Sequence, residues 1–184
     1  SIIENDNKIN VQILSYDASG NLTSDVSQTL KQNLAEYLSN YRMINDYVTI
    51  GSAQVIDLGL EVSVVLDGTQ NSGVVISNII DRVTTFFSPT VRGLGQNILL
   101  SELSRIIQAE NGVVSLTDIS VYGKVGGQYS SAQTSMPYSD ATTKKISLTD
   151  NTIFAEPNQI YQVRFPSKDI VVRVKNYQTT TFSW

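Results

Sequence analysis

Asp57 and Glu61 come nearest to a catalytic spacing in this 184-residue chain. They lie in "DLGLEVSVVL", residues 57–66, where Leu58, Leu60, Val62, Val64 and Leu66 alternate with Asp57, Gly59, Glu61, Ser63 and Val65. Two carboxyl groups flanking one glycosidic bond can share acid, base and nucleophile roles, but they must stand about 5–9.5 Å apart. Four residues along a strand, at ~3.3 Å each, separate these two by about 13 Å. Alternation at period two predicts a long strand with one face on a core and the other in water. Both carboxylates are therefore expected on the solvated face, as scaffold. Asp118 is a carboxylate that a neighbouring strand could bring closer.

Other routes to chemistry are narrower still. The chain has no histidine, which removes the commonest general base near neutral pH and the commonest transition-metal ligand. It has no cysteine, so disulfides, thiolate metal sites and a thiol nucleophile are excluded. "GKVGGQ" (123–128) matches neither the P-loop nor the dinucleotide fingerprint. "RGLGQN" (92–97) reads as a helix entry, although its N–H groups could face an anion. Lys144 and Lys145 sit in a polar stretch, where no serine gains a desolvated lysine as its base. The surroundings of Asp17, Asp25 and Asp67 lack the spacing of a calcium loop. No catalytic, cofactor-binding or metal-binding residue is assigned, and no cofactor is expected. A net charge of −4, with 13 dispersed Lys and Arg, gives no nucleic-acid footprint. No apolar run approaches the ~20 residues of a membrane-spanning helix.

Aromatic residues gather instead in the last third, where charge is sparse. Tyr and Trp are favoured at protein interfaces. Tyr129, Tyr138, Tyr177, Phe182 and Trp184 are the candidate partner contacts, whereas a local core would absorb Tyr161 and Phe165.

The elements that must position these residues follow from periodicity. Ile9–Ser15 predicts a short strand and Asp17–Gly20 a turn. Thr23 or Ser24 can cap a helix whose apolar face is Val26, Leu30, Leu34, Tyr37, Leu38 and Tyr41. Tyr47–Ile50 is extended, and the long strand runs from about Ala53 to Leu66. Asn71 or Ser72 opens a second helix carrying Val75, Ile76, Ile79, Ile80, Val83, Phe86 and Phe87, which Pro89 ends. A third helix turns Ile98, Leu99, Leu103, Ile106 and Ile107 inward and stops at Asn111–Gly112. A strand over 113–122 should bury Val114, Leu116, Ile119 and Val121. Next comes a polar, Gly-rich linker of about 20 residues, a length that is usually functional or mobile. Short strands then alternate with turns at Asp150–Asn151, Glu156–Asn158 and Pro166–Lys168.

The expected class is α+β: a mixed or antiparallel sheet with three helices on one face, plus a small C-terminal β-appendage. Two units are expected, an α+β domain over 1–123 and a linker with β-rich appendage and tail over 124–184. "SIIENDNKIN" has neither an initiating Met nor a signal-peptide core, so the chain reads as part of a longer protein.

Several phrases in order resemble the baseplate J-like family of contractile-tailed phages and related injection machines. Arg42, Asp46, Val48 and Ile50 close the first helix and open the extended segment. Phe86, Phe87 and Pro89 end the second helix, and Leu94, Gly95, Gln96, Ile98, Ser101, Glu102 and Leu103 lead into the third. Gly112 and Val113 then start a strand. The match spans about residues 8–123. It implies a non-enzymatic structural component of the tail baseplate, in the wedges or the inter-wedge ring. Such a component acts by protein–protein association and rearranges when the sheath contracts. The implied partners are further copies of the chain, most simply as a dimer and as a ring in the baseplate, and other wedge proteins. The implied location is the virion, after assembly in the host cytoplasm. A carboxylate-dependent tail hydrolase and a receptor- or glycan-binding module are the competing readings.

Overall fold

The computed structural model of the chain describes residues 2–5, 8–41 and 47–175. Its first layer is a three-stranded sheet in which β2 (Lys8–Ile13) pairs antiparallel with β1 (Ile2–Asn5). After β2 the chain makes a small hairpin of β3 (Ser15–Tyr16) and β4 (Leu22–Thr23). Asp17 shapes its turn by accepting the N–H groups of Ser19 and Asn21, both at 2.9 Å. Helix α1 (Gln28–Ser39) follows, capped by the Ser27 hydroxyl, which accepts from Leu30 N–H at 3.2 Å. The cap therefore falls later than Thr23 or Ser24, because Thr23 instead turns the chain by accepting the Asp25 N–H. Strand β5 (Tyr47–Ser52) then completes the first sheet by pairing parallel with β2.

The second sheet is built on β6 (Gln54–Leu66), the long strand expected from alternation. Asn71 caps α2 (Ser72–Phe86) through Gly73 N–H, as its position in the sequence predicts. A two-residue strand β7 (Ile98–Leu99) precedes α3 (Leu100–Gln108), so the third helix starts later than its apolar pattern suggests. Leu99 is exposed there, a correction to its expected inward placement. Gly112, at φ +91°, ends the helical segment in the left-handed region open to glycine. Strand β8 (Val113–Lys124) then runs antiparallel to β6, with Leu60 opposite Val121 and Glu61 opposite Ser120. The register skips Thr117 and Val114, which leaves Val114 exposed instead of buried.

From residue 124 on, the chain is β-rich as expected, but its strands do not form a sheet of their own. They are β9 (Tyr138–Asp140), β10 (Lys145–Ile146), β11 (Thr152–Ile153), β12 (Gln159–Gln162) and β13 (Ile170–Val174). β10 joins β8, and β9 joins β10. β11 pairs with β7. β12 and β13 pair in turn along the other edge of β6, both parallel to it. Between them the chain leaves that edge through α4 (Pro166–Asp169). The result is one six-stranded mixed sheet in an α+β fold.

Helices α2 and α3 pack on one face of this sheet. Leu58, Leu60, Val62 and Val64 of β6 meet Val75, Ile79 and Val83 of α2 and Leu103 and Ile107 of α3 in one cluster. Ile146, Ile153, Tyr161 and Ile170 belong to the same core, so the C-terminal strands help to close it. Helix α1 lies apart against β5 and buries no side chain. It is therefore not the third helix on that face. The opposite face of the sheet, expected to be wet, is covered in part. Leu22 of the hairpin packs there with Val55 and Ile160, and residues 128–131 run beside it.

Candidate functional site

The covered face makes a site around Asp57. Parity in β6 points Asp57 away from the helices, as expected, but its side chain is fully buried, at 0% exposure. This corrects its placement on a solvated face. Gln162, at the end of β12, donates to Asp57 Oδ1 at 2.8 Å, and Ser130 N–H donates to Oδ2 at 2.6 Å. Gln162 also exchanges hydrogen bonds with the backbone of Leu22, at 3.1 and 3.3 Å, which draws the β3–β4 hairpin over the carboxylate. Burial raises the Asp57 carboxyl above the usual carboxylate range, and the Ser130 and Gln162 bonds pull against it.

A second buried carboxylate, Asp169, stands at the end of α4 at 2% exposure. Its Oδ2 accepts from Phe165 N–H at 2.9 Å, reaching back four residues to the one that opens the turn. Its Oδ1 accepts from the Tyr129 hydroxyl at 2.6 Å. The Tyr129 ring meets Phe165 edge to face, with centroids 5.6 Å apart. Burial first, then the Asp169 bond, pushes the Tyr129 phenol up to about 12. Arg164, between β12 and α4, donates to Asp17 Oδ2 at 2.6 Å and ties the hairpin turn to the same place.

Glu61, the other half of the sequence pair, pairs with Arg173 of β13 and is half-buried. Asp118 is exposed opposite Ser63 and accepts from the Ser120 hydroxyl at 3.0 Å. The fold thus separates Asp57, Glu61 and Asp118 into different environments. It brings Asp57 and Asp169 into one network, although they are far apart in sequence. All four oxygens of those two carboxylates accept hydrogen bonds from the chain itself. With Asp57 fully buried, this arrangement fastens distant segments of the chain together. A shallow cleft of ≈ 270 Å³ beside Asp169 is lined by Glu61, Tyr122, Lys124, Thr143 and Lys168. Among the described residues no group of three or more carboxylates is placed to hold a metal.

Of the aromatic candidates, Tyr129 gives its hydroxyl to Asp169. Tyr138 lies over Gly123 with its hydroxyl buried, which raises its phenol, and Lys144 stands 5.2 Å from the ring centroid. Both are turned into the chain's own structure. Tyr177, Phe182 and Trp184, and Arg42 and Asp46 of the family-like phrases, lie outside the described residues. Asp169, Gln162 and Ser130 are not identifiable from sequence alone. The spacing of Pro166 and Asp169 after Phe165 is the signal that could have found the turn, but nothing local announces the long-range bonds to Asp57.

Comparison with protein-family models and with curated protein sequences finds no match. Among solved structures, the fold is similar to that of one chain in the cryo-EM structure of the anti-feeding prophage (AFP) baseplate, 6-fold symmetrised. The TM-score is 0.54 at 11% sequence identity. The likeness covers 85% of this chain and 29% of that one, so this chain spans less than a third of its neighbour's length. At that identity the likeness is one of fold: the arrangement of helices and strands described above also occurs within a baseplate component.

Proposed function

We propose that the chain is a structural module of a contractile-tail or injection-machine baseplate, acting by protein–protein association and not by catalysis. The likeness of fold to a chain of the AFP baseplate, over 85% of the present chain, is the observation that carries this reading. The carboxylates of the Asp57 site support it, since their oxygens are taken up by donors of the chain itself. Within this reading the module sits in the wedge or inter-wedge ring, contacts its own copies and other wedge proteins, and shifts when the sheath contracts. Its location is the tail of the particle, after assembly in the host cytoplasm.

The α1 layer is the surface this reading assigns to self-association, most simply as a two-fold dimer. Leu30, Tyr37 and Tyr41 expose half or more of their surface there, up to 72% at Tyr41. Aromatic side chains bury 150–250 Å² each, so the two tyrosines together with Leu30 offer roughly 300–400 Å². That is up to about half of the ~800 Å² one partner contributes to a standard interface. The tail residues Tyr177, Phe182 and Trp184 extend the proposed contacts. An antibody raised against the chain should decorate the baseplate end of contractile particles from its source. Particles that lack the chain overturn the baseplate reading. Sedimentation velocity over a concentration range tests self-association separately, and a monomer at every concentration overturns that part.

A further inference from the structure

The six-stranded sheet has guarded edges except along β13. At β12, Gly95 N–H donates to the Gln159 carbonyl at 2.8 Å, and the Gln162 side chain holds the β3–β4 hairpin alongside. On β8 the register skips at Thr117, and the exposed carboxylate of Asp118 follows. β9 has three residues and ends on Asp140, whose carboxylate accepts from Thr142 N–H and the Thr143 hydroxyl. Short strands, bulges and charges are devices that keep sheet edges from pairing with other chains. β13 carries no bulge and no proline. Its five residues run in unbroken parallel register with β6 from Leu60 to Val64, and all but Arg173 are apolar and β-branched. Arg173 is itself engaged by Glu61 of β6.

The direction of its outer backbone groups follows from one bond. Lys175 N–H donates to the Val64 carbonyl at 2.8 Å, so Lys175, and by alternation Arg173 and Val171, face β6. Val172 and Val174 therefore turn both N–H and C=O away from the sheet. Ile170 turns its C=O the same way, while its N–H is given to the Pro166 carbonyl. Among the described residues no strand pairs with this edge. An apolar shelf overhangs it. Asn78 and Arg82 of α2 reach Glu110 on the side of α3, which packs on β8. Ile76 and Ile80 lie on the opposite flank of α2, toward β13, and both are only half-buried.

We infer that the outer edge of β13 is a two-fold contact between two copies of the chain, in which the two β13 strands pair antiparallel about Val172. The edge is self-complementary in that register. Val172 exchanges both backbone bonds with its counterpart, and each Val174 N–H reaches the Ile170 carbonyl across the axis. On the helix face Val172 meets Val172 and Ile170 meets Val174. Such β-branched pairs favour strand pairing, and they lie beneath the Ile76–Ile80 shelves of both copies. On the other face Arg173 falls opposite Val171, which is 43% exposed in the single chain, so no like charges meet directly. A pairing of this kind closes on itself. It deepens the self-association proposed above, resting on that reading only in that copies meet, and it uses no residue of the α1 layer.

The chain has no cysteine, so one introduced thiol reports the register. Hydrogen-bonded antiparallel residues stand about 5.5 Å apart at Cα, inside the roughly 4.4–6.8 Å that a disulfide spans. Val172→Cys in the full chain should therefore form a disulfide-linked dimer in air. Val171→Cys is more exposed but lies about 8 Å from its counterpart, and it should link about tenfold more slowly or less. Adding Tyr37→Ser and Tyr41→Ser should leave the Val172→Cys rate within about twofold, which separates this contact from that of α1. Hydrogen exchange on the unsubstituted chain gives a second readout should Val172→Cys fold poorly. The Val172 and Val174 amides should gain protection as concentration rises. Linking at Val171 as fast as at Val172 overturns the inference. So does linking at Val172 that disappears with the two tyrosines, or protection of both amides that does not vary with concentration.

Discussion

Replacing Asp57 by Asn keeps one acceptor and turns the other into a donor. One of the two groups it now satisfies, Ser130 N–H or the Gln162 amide, would then face an N–H across a buried contact. A buried group left without its partner costs about 1–3 kcal/mol, so Asp57→Asn should destabilise the fold by that order. The pH dependence has a definite sign. Burial raises the folded-state pKa of Asp57 above its unfolded value, so the folded chain binds the proton more readily. Its contribution to stability grows as pH falls from neutral through that raised pKa and levels off below the ordinary carboxylate value. An asparagine side chain has no such response, so the advantage of the parent over the Asp57→Asn variant should widen on mild acidification. Denaturant unfolding of both proteins at several pH values checks this, and a gap that narrows on acidification contradicts it. Glu61→Gln should cost under about 1 kcal/mol, since Arg173 is mostly exposed and such pairs are weak. The two residues look alike in sequence, because period-two alternation reports which face a side chain takes. It does not report what covers that face. The cover over Asp57 comes from Leu22, Ser130 and Gln162, at separations that no local pattern spans.

Helix α2 and strand β6 show the opposite case, in which local pattern and tertiary packing agree. Leu60, Val62, Ile79 and Val83 are all buried in one cluster, with Ile80 packed at its margin. Leu60→Ala should therefore cost roughly 2–5 kcal/mol through lost transfer energy and the cavity left behind. A change under about 1 kcal/mol in equilibrium unfolding would contradict that packing. Helix α1 has an equally regular stripe, yet Leu34 and Leu38 are only half-buried, and Leu30, Tyr37 and Tyr41 stay exposed. Periodicity predicts an apolar face but not whether the same chain covers it. Under the proposed self-association, Tyr37→Ser with Tyr41→Ser should weaken dimerisation while leaving the unfolding midpoint of the monomer nearly unchanged. Sedimentation of the double variant checks this. Association as tight as in the parent moves the contact elsewhere. Val114 and Leu99 escape the periodic reading for a third reason. A register slip and a two-residue strand each interrupt the period within a few residues, too briefly for a pattern to carry them.

At the scale of the whole molecule, composition changes sharply after Tyr122, while the sheet does not. Glycine and serine content marks where the chain stops being helical and apolar, but hydrogen bonding across the sheet has no compositional signature. β12 and β13 occupy the edge of β6 at residues 54–57 and 60–64, which the alternating pattern of β6 leaves unassigned. Their order, parallel and separated by α4, is set by contacts more than a hundred residues distant in sequence. Truncation after Lys124 follows directly from this arrangement. It would remove every partner on one edge of β6 and the β10 neighbour of β8. It would also take Met136, Ile146, Ile153, Tyr161 and Ile170 out of the main cluster. Two of these, Ile146 and Ile153, are at most 2% exposed, and each large aliphatic lost from a core costs about 2–5 kcal/mol. Five such losses reach or exceed the roughly 5–15 kcal/mol by which domains are ordinarily stable. Residues 1–124 alone should therefore lack a cooperative thermal transition and sharp near-ultraviolet dichroism, whatever helix they retain. A truncated chain that unfolds cooperatively within a few degrees of the full chain would mean that the first unit closes its core unaided. The C-terminal strands would then serve as a removable flank.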